Sequence, residues 1–366
     1  MIVPTRSKGM QPGTLRAPRA DAERPLRLIV PTLCVVMPLG TRSVTTCIPT
    51  QSVGTICTDC PIMPANHFNT HCPDWATALL NGFSQIFLQR HPLCGLLCLS
   101  AILFTAPALL GGALLGGVAG LLTAQRRGYA KADRQAGLFS YNGILLGLLL
   151  SLYFPWSTLL PPLIIACGGL SAMLTQQWLK GAGDHQYLPV YTAPFVGLSW
   201  LLLGFAAPPQ PVPPIELNTL NLLAAELKGL GQVMFLGHPL AGALIAAGLL
   251  IADRRAFLWA LLGAAAGLGF ALLHHGTSSA LQGLSSYNPL LAALAFSSQR
   301  RQPWLPLSGI LLAVLLTPGF AALGLTALTA PFILACWLIR AGTQVLRQAA
   351  VDSAPCATGE NRPRLR

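Results

Sequence analysis

The sequence predicts an all-α polytopic membrane protein of two inverted repeats, each of five transmembrane helices plus one re-entrant half-helix. Three observations carry that expectation. Charged residues are 9% of the 366-residue chain and apolar residues 53%, with a mean hydropathy of +0.59; an average soluble protein is about 25% charged. The chain also repeats itself. GFSQIFLQRHPL at 82–93 returns as GLGQVMFLGHPL at 229–240, Ser140-Tyr141-Asn142 as Ser286-Tyr287-Asn288, and Thr192-Ala193-Pro194-Phe195 as Thr329-Ala330-Pro331-Phe332. Finally, basic loops in one half match neutral loops in the other. Transport proteins commonly build a path through a membrane from such duplicated apolar units.

Apolar stretches of roughly 15–25 residues match helices that cross a bilayer. In the first repeat, 75–206, a short piece at 76–89 precedes spans at 92–105, 107–124, 138–154, 156–179 and 188–206. A Pro-rich linker occupies 207–219, where proline favours stiff, extended chain. The second repeat, 220–345, has its short piece at 220–236 and spans at 239–251, 256–273, 281–297, 304–320 and 323–340. A basic tail, 346–366, follows.

Loop charges set the relation between the halves. Arg126, Arg127, Lys131 and Arg134 follow the second span of the first half, whereas 274–279 in the second half has no Lys or Arg. Arg254 and Arg255 match the neutral 105–107, Arg300 and Arg301 match Pro155-Trp156, and Lys180 matches 317–319. Lys and Arg concentrate in cytoplasmic loops, so the halves have opposite orientation. Five spans per half produce that inversion. The short pieces then enter and leave on one side, Arg90 and Arg340 come out cytoplasmic, and both termini are inside. Lys228, on the second short piece, is the exception.

The net charge of +12 is no nucleic-acid footprint, because the basic residues lie in tails and short loops without interleaved aromatics. Residues 1–74 read as a disordered arm, with Met63 as an alternative start. Cys57 and Cys60, with His67, His71 and Cys72, are zinc-ligand types, but their spacing fits no strong finger pattern. No metal or cofactor is expected. Cys94, Cys98, Cys167 and Cys336 read as small core residues, and 111–120 as close helix packing rather than phosphate binding.

Inverted repeats bring matched residues together near the midplane. Gln85 and Gln232 offer neutral donors and acceptors on the half-helices. Thr192 and Thr329 each precede a Pro-Phe pair, where proline frees a backbone carbonyl and the hydroxyl adds a donor and acceptor. Tyr141 and Tyr287 stand four residues before Leu145 and Leu291, which puts ring and aliphatic chain on one helix face. The sum is a slot with apolar walls and neutral hydrogen-bonding groups. It suits a small, flat, uncharged polar solute and suits an ion poorly. Plain readings stand beside these: Gln as helix–helix glue, Thr as repair of a broken backbone, Tyr as packing. His91 and His238 read as loop or headgroup contacts.

GQVMFLGHPLAG, GLFSYNGILLGL and the doubled TAPF resemble the urea transporter family over roughly residues 76–345. The resemblance implies channel-type passive transport of urea, or a similar small neutral amide, across a bacterial inner membrane by a homotrimer with one pore per protomer. It implies Gln85 and Gln232 as outer acceptors, and Leu88, Tyr141, Leu145, Phe235, Tyr287 and Leu291 as slot walls. Thr192 and Thr329 are then the central pair. Four positions depart from the family or from the chain's own symmetry. Leu88 stands opposite Phe235, Gln232 stands where many members carry Glu, Tyr141 and Tyr287 replace Phe, and Pro289 matches Gly143. Two other classes compete. A coupled transporter needs a titratable group at midplane depth, for which Glu226 and Lys228 are the candidates on the half-helices. A membrane enzyme would use His274 and His275 or the Cys/His arm.

Overall fold

Among the described residues, each half contributes seven helices in the same order. The first has α1 (Asp74–Gln85), α2 (Pro92–Thr105), α3 (Pro107–Arg126), α4 (Lys131–Gln135), α5 (Tyr141–Tyr153), α6 (Leu160–Gly181) and α7 (Ala193–Leu203). The second has α8 (Thr219–Gln232), α9 (Pro239–Ala252), α10 (Arg254–His274), α11 (Thr277–Ala280), α12 (Tyr287–Phe296), α13 (Trp304–Ala322) and α14 (Ala330–Asp352). The computed structural model describes residues 74–181, 188–205, 216–274 and 277–352. The Cys/His arm, the Pro-rich stretch 206–215, His275 and the end of the tail lie outside the described residues. Those described belong to one compact unit, Val53–Arg366, and contain no strand.

Proline and apolar runs set the helix starts. Pro92, Pro107 and Pro239 each occupy the first helical position, where the missing N–H is one the helix would leave unpaired anyway. Asn218 caps α8 by accepting from Asn221 N–H at 2.7 Å, and His238 caps α9 by accepting from Leu240 N–H at 3.1 Å. His238 therefore works as a helix cap. Among the described helices, α3 and α10 are long and apolar enough by themselves to cross a bilayer. In contrast, α1 and α8 have 12 and 14 residues, about 18–21 Å at about 1.5 Å per residue, well short of an apolar core of about 30 Å. Each packs against the helix that follows it, α1 on α2 and α8 on α9.

Several boundaries differ from the sequence expectation. The spans expected from 138, 188, 281 and 323 begin as helices only at Tyr141, Ala193, Tyr287 and Ala330. Each is preceded by a turn, and Tyr191 and Leu328 there have positive φ. Residues 156–159 are not helical, and α6 starts at Leu160. The expected junction at 317–319 lies inside α13, with Pro318 in the helix. Thr317 Oγ1 donates to Ala313 O at 2.8 Å beside it. Finally, α14 runs on to Asp352, and the loops expected at 126–134 and 274–279 carry the short helices α4 and α11. Lys131 on α4 meets Asp74 at 2.8 Å; its ammonium lowers the Asp74 carboxyl pKa, although both groups are exposed.

The halves match in detail. In the first, α3 packs on α5, and α6 on both α5 and α7; in the second, α10 packs on α12, and α13 on both α12 and α14. Between halves, α2 packs on α9 and α7 on α14. These are pairs of helices that hold the same place in the two series. Close approaches recur at matched sites. A Cβ on Gly95 would strike Leu80 O, and one on Gly242 would strike Leu227 O. Gly137 and Gly283, with φ of +79 and +76, press on the backbones of residues 82 and 229. In the stretch 111–120, Gly112, Gly116 and Gly120 pack against the carbonyls of Gly147, Gly143 and Phe139. Those glycines serve helix packing.

Gly95→Ala places a methyl group against a backbone carbonyl that cannot yield easily, at a cost of about 1–3 kcal/mol. The thermal unfolding midpoint of the detergent-solubilised protein should fall. Gly197→Ala, where a Cβ meets nothing within 4 Å, should leave it nearly unchanged; equal shifts would contradict the packing account.

Candidate functional site

The duplicated threonines meet. Thr192 caps α7 with φ −91 and ψ 22, and Thr329 directly precedes α14. Their hydroxyl oxygens are 2.7 Å apart, and both residues are 4% exposed. Two hydroxyls hold two donors and four lone pairs. One donor and one lone pair serve the mutual bond, which leaves a donor and three lone pairs in a buried, uncharged place.

This meeting point lies at two backbone breaks. Pro194 and Pro331 sit second in their helices and supply no N–H. Tyr191 and Leu328, one residue before each threonine, have φ of +40 and +43. A non-glycine residue held there costs about 1–3 kcal/mol, and its carbonyl leaves the helical ladder. Both carbonyls are capped, by different means. Tyr191 O accepts from the Tyr141 hydroxyl. Leu328 O accepts from Asn288 Nδ2 at 2.9 Å, while Asn288 Oδ1 accepts from Phe332 N–H at 3.2 Å. The matched Asn142 instead donates to Thr175 Oγ1 at 3.4 Å, and its buried Oδ1 has no partner.

Each half also holds the other's break. Trp200 Nε1 donates to Thr326 O at 2.8 Å, and Trp337 Nε1 donates to Pro189 O at 2.9 Å. Trp200 and Trp337 stand 137 residues apart, as do Thr192 and Thr329. The two indoles thus exchange equivalent bonds across the molecule.

The glutamines end α1 and α8. Gln85 Oε1 is buried and unpartnered. Gln232 Nε2 donates to Gln282 O at 3.1 Å. That bond leaves the Gln232 side-chain carbonyl as an acceptor. Neither glutamine hydrogen-bonds to the threonine pair among the described residues. Three residues on from each glutamine, Leu88 and Phe235 have φ of +58 and +62, so the chain turns sharply after α1 and after α8. Phe235 lies 6.2 Å, centroid to centroid, from Phe195, the phenylalanine of the first TAPF motif.

Tyr141, Leu145 and Leu291 are buried, whereas Leu88, Phe235 and Tyr287 are partly exposed and pack on the same core. Within this set the structure joins Thr192 directly to Thr329, and Tyr141 to the residue before Thr192. The sequence analysis missed Asn288, the Trp200/Trp337 pair and Tyr191, and it read Arg340 only as a cytoplasmic charge. The shared offset of the tryptophans and threonines was a usable signal, as was Asn in the doubled Ser-Tyr-Asn. Nothing in the repeat pattern marked Arg340, whose counterpart is Leu203.

The competing groups lie elsewhere. Glu226 lines an apolar groove of about 720 Å³ with Leu222, Leu261 and Leu268, between α8 and α10. His274 stacks on Phe270 at 4.2 Å, and its Nδ1 lies 3.0 Å from Phe270 O. Cys94, Cys98, Cys167 and Cys336 are buried and free. No group of potential metal ligands occurs among the described residues.

Apolar helices closed around a buried, neutral, hydroxyl-lined centre define a polytopic membrane protein. The urea transporter family model matches residues 76–344, and the chain belongs to that family, one of transporters rather than enzymes. Urea transporter 1 of Rattus norvegicus is 30% identical over 250 residues, and that of Ovis aries 27% over 246; each match covers 61% of this chain and 62% of the relative. Urea transporter 1 of Mus musculus is 28% identical over 248 residues, with the same coverage. The chain therefore spans about three fifths of the length of the curated relatives it matches.

Replacing Asn288 by the similarly sized Leu strands Leu328 O and Phe332 N–H. The cost is about 1–3 kcal/mol for each unsatisfied buried group. Asn142→Leu removes one long bond and an already unpartnered oxygen. Thermal unfolding should show a clearly larger loss for Asn288→Leu; equal losses would sink the different roles given to the two amides.

Proposed function

We propose that the protein is a passive channel for urea, with a similar small neutral amide as the nearest substitute. The observation that carries this reading is the buried Thr192–Thr329 hydroxyl pair, 2.7 Å apart, in a member of the urea transporter family. Urea is flat and neutral, with N–H donors on two arms and one carbonyl. Gln85 and Gln232 accept its N–H groups at the two ends of the slot. Leu88, Tyr141, Leu145, Phe235, Tyr287 and Leu291 form walls that strip water from its faces. Thr192 and Thr329 replace that water at the centre with their spare donor and lone pairs. A neutral lining leaves an ion's desolvation uncompensated.

The architecture proposed with this is an inverted repeat about a pseudo-two-fold in the membrane plane. Support comes from the counterpart packing of α2 with α9 and α7 with α14. Matched positive φ at Leu88 and Phe235, and at Tyr191 and Leu328, points the same way, as do the reciprocal indole bonds. With the loop charges, this reading puts both termini in the cytoplasm. The family resemblance supports a homotrimer in a bacterial inner membrane. Coupling to protons would need a titratable group in the path, and Glu226 sits in the α8–α10 groove instead.

Stopped-flow light scattering on reconstituted vesicles tests the function. Urea entry should be fast and unaffected by a proton or sodium gradient. Uptake that requires a gradient would replace the channel with a coupled transporter. Gln232→Leu should lower urea flux by about tenfold. An unpaired polar contact costs about 1–3 kcal/mol, and about 1.4 kcal/mol is a factor of ten in rate. Unchanged flux would return Gln232 to helix–helix bonding.

A further inference from the structure

Arg340 breaks the symmetry of the site. It lies ten residues beyond the start of α14 and is partly buried. Side chains on a helix lean toward its N-terminus, so the guanidinium leans back along α14 toward the Tyr191 ring. Its Nε donates to the Tyr191 hydroxyl at 3.3 Å, and its central carbon lies 5.6 Å from the Phe296 ring centroid. At 5.6 Å a cation is attracted by the ring face. Tyr191 is held elsewhere too. Its ring meets Phe332 edge-on at 4.9 Å, and its carbonyl accepts from the Tyr141 hydroxyl.

We propose that Arg340 is a positioning residue for the central threonine pair, acting through Tyr191. Tyr191 occupies a left-handed backbone conformation one residue before Thr192. That conformation is costly, so it persists only because neighbours hold it. The ring is held by Arg340, Cys336 and Phe332, the main chain by Tyr141. Releasing the ring lets the backbone relax and swings Thr192 Oγ1 away from Thr329. The second copy has no such string. Leu328 replaces Tyr191, Leu203 replaces Arg340, and the buried amide of Asn288 does the holding. The first-copy threonine is thus fixed from a cation on the opposite half, and the gap between the hydroxyls depends on it. A looser gap admits a wider solute, so Arg340 sets size selection at the centre. This role rests on the slot reading above.

The test compares the parent protein with Arg340→Leu, Arg340→Lys, Tyr191→Phe and Arg340→Leu/Tyr191→Phe in vesicles. The readout is the ratio of urea to N-methylurea permeability, which does not depend on how much protein folds. The ratio should fall at least threefold in Arg340→Leu and in Tyr191→Phe, with no further fall in the double variant. Arg340→Lys, which keeps a donor, should retain most of it. An unchanged ratio in Arg340→Leu, or additive losses in the double variant, would overturn the proposal. A second measurement needs no transport. Thr192→Cys/Thr329→Cys should cross-link readily under mild oxidation, and several-fold more slowly when Arg340→Leu is added. Equal rates would also overturn it. A parent protein without urea flux defeats the urea reading alone, and the cross-linking then decides the role of Arg340.

Discussion

Two helices begin at buried threonines inside this protein, and their freed backbone groups need partners there. That constraint governs the structure around α7 and α14. An unsatisfied polar group in a water-free interior costs several kcal/mol, so each break must be closed by the protein itself. The means are visible one by one. Trp200 and Trp337 reach across the molecule to Thr326 O and Pro189 O. Tyr141 and Asn288 cap the carbonyls of Tyr191 and Leu328. What remains are the two threonine hydroxyls, which close on each other. The proposed centre is therefore what remains once the neighbouring side chains have closed the backbone breaks around it.

Reciprocity explains why the breaks are stable together. Each indole belongs to the helix that follows one break, and it satisfies the segment before the other. Neither half can close its own break with these bonds. The helices α7 and α14 must dock for both to be satisfied, which ties the two halves into one core. The close approach of α2 to α9 uses small residues in the same way. A Cβ at Gly248 would lie 3.2 Å from Cys94 Sγ, so a small side chain faces a glycine across the seam between halves.

Much of this was legible in the sequence, and the remainder failed for identifiable reasons. The doubled motifs located Thr192 and Thr329 because proline and threonine at one offset signal a broken, repaired helix. Pro92, Pro107 and Pro239 marked helix starts because proline is tolerated at the first position. Hydropathy alone misplaced the starts of α5, α7 and α14, since the turns before them are as apolar as the helices. Leu328 and Tyr191 look like helix-formers and adopt left-handed backbone only because tertiary contacts hold them. Pro318 looked like a breaker, yet α13 continues through it. Asn288 and Asn142 are identical in the repeat but bond differently, and no sequence pattern distinguishes them.

The neutral threonine pair also bears on how fast a solute could cross such a centre. In the proposed channel, a solute arriving there would exchange a hydroxyl–hydroxyl bond for bonds of its own. Neutral hydrogen bonds of this kind differ by only about 0.5–1.5 kcal/mol in net stability. The exchange therefore creates neither a deep well nor a high barrier. A carboxylate or ammonium in the same place would behave otherwise. Unpaired, it would cost several kcal/mol to keep dry; paired with a charged solute, it would hold that solute too long for rapid release. Arg340 contacts the Tyr191 hydroxyl and the Phe296 ring rather than either threonine hydroxyl. Its influence arrives as geometry, one residue removed, and the centre itself keeps only hydroxyl groups.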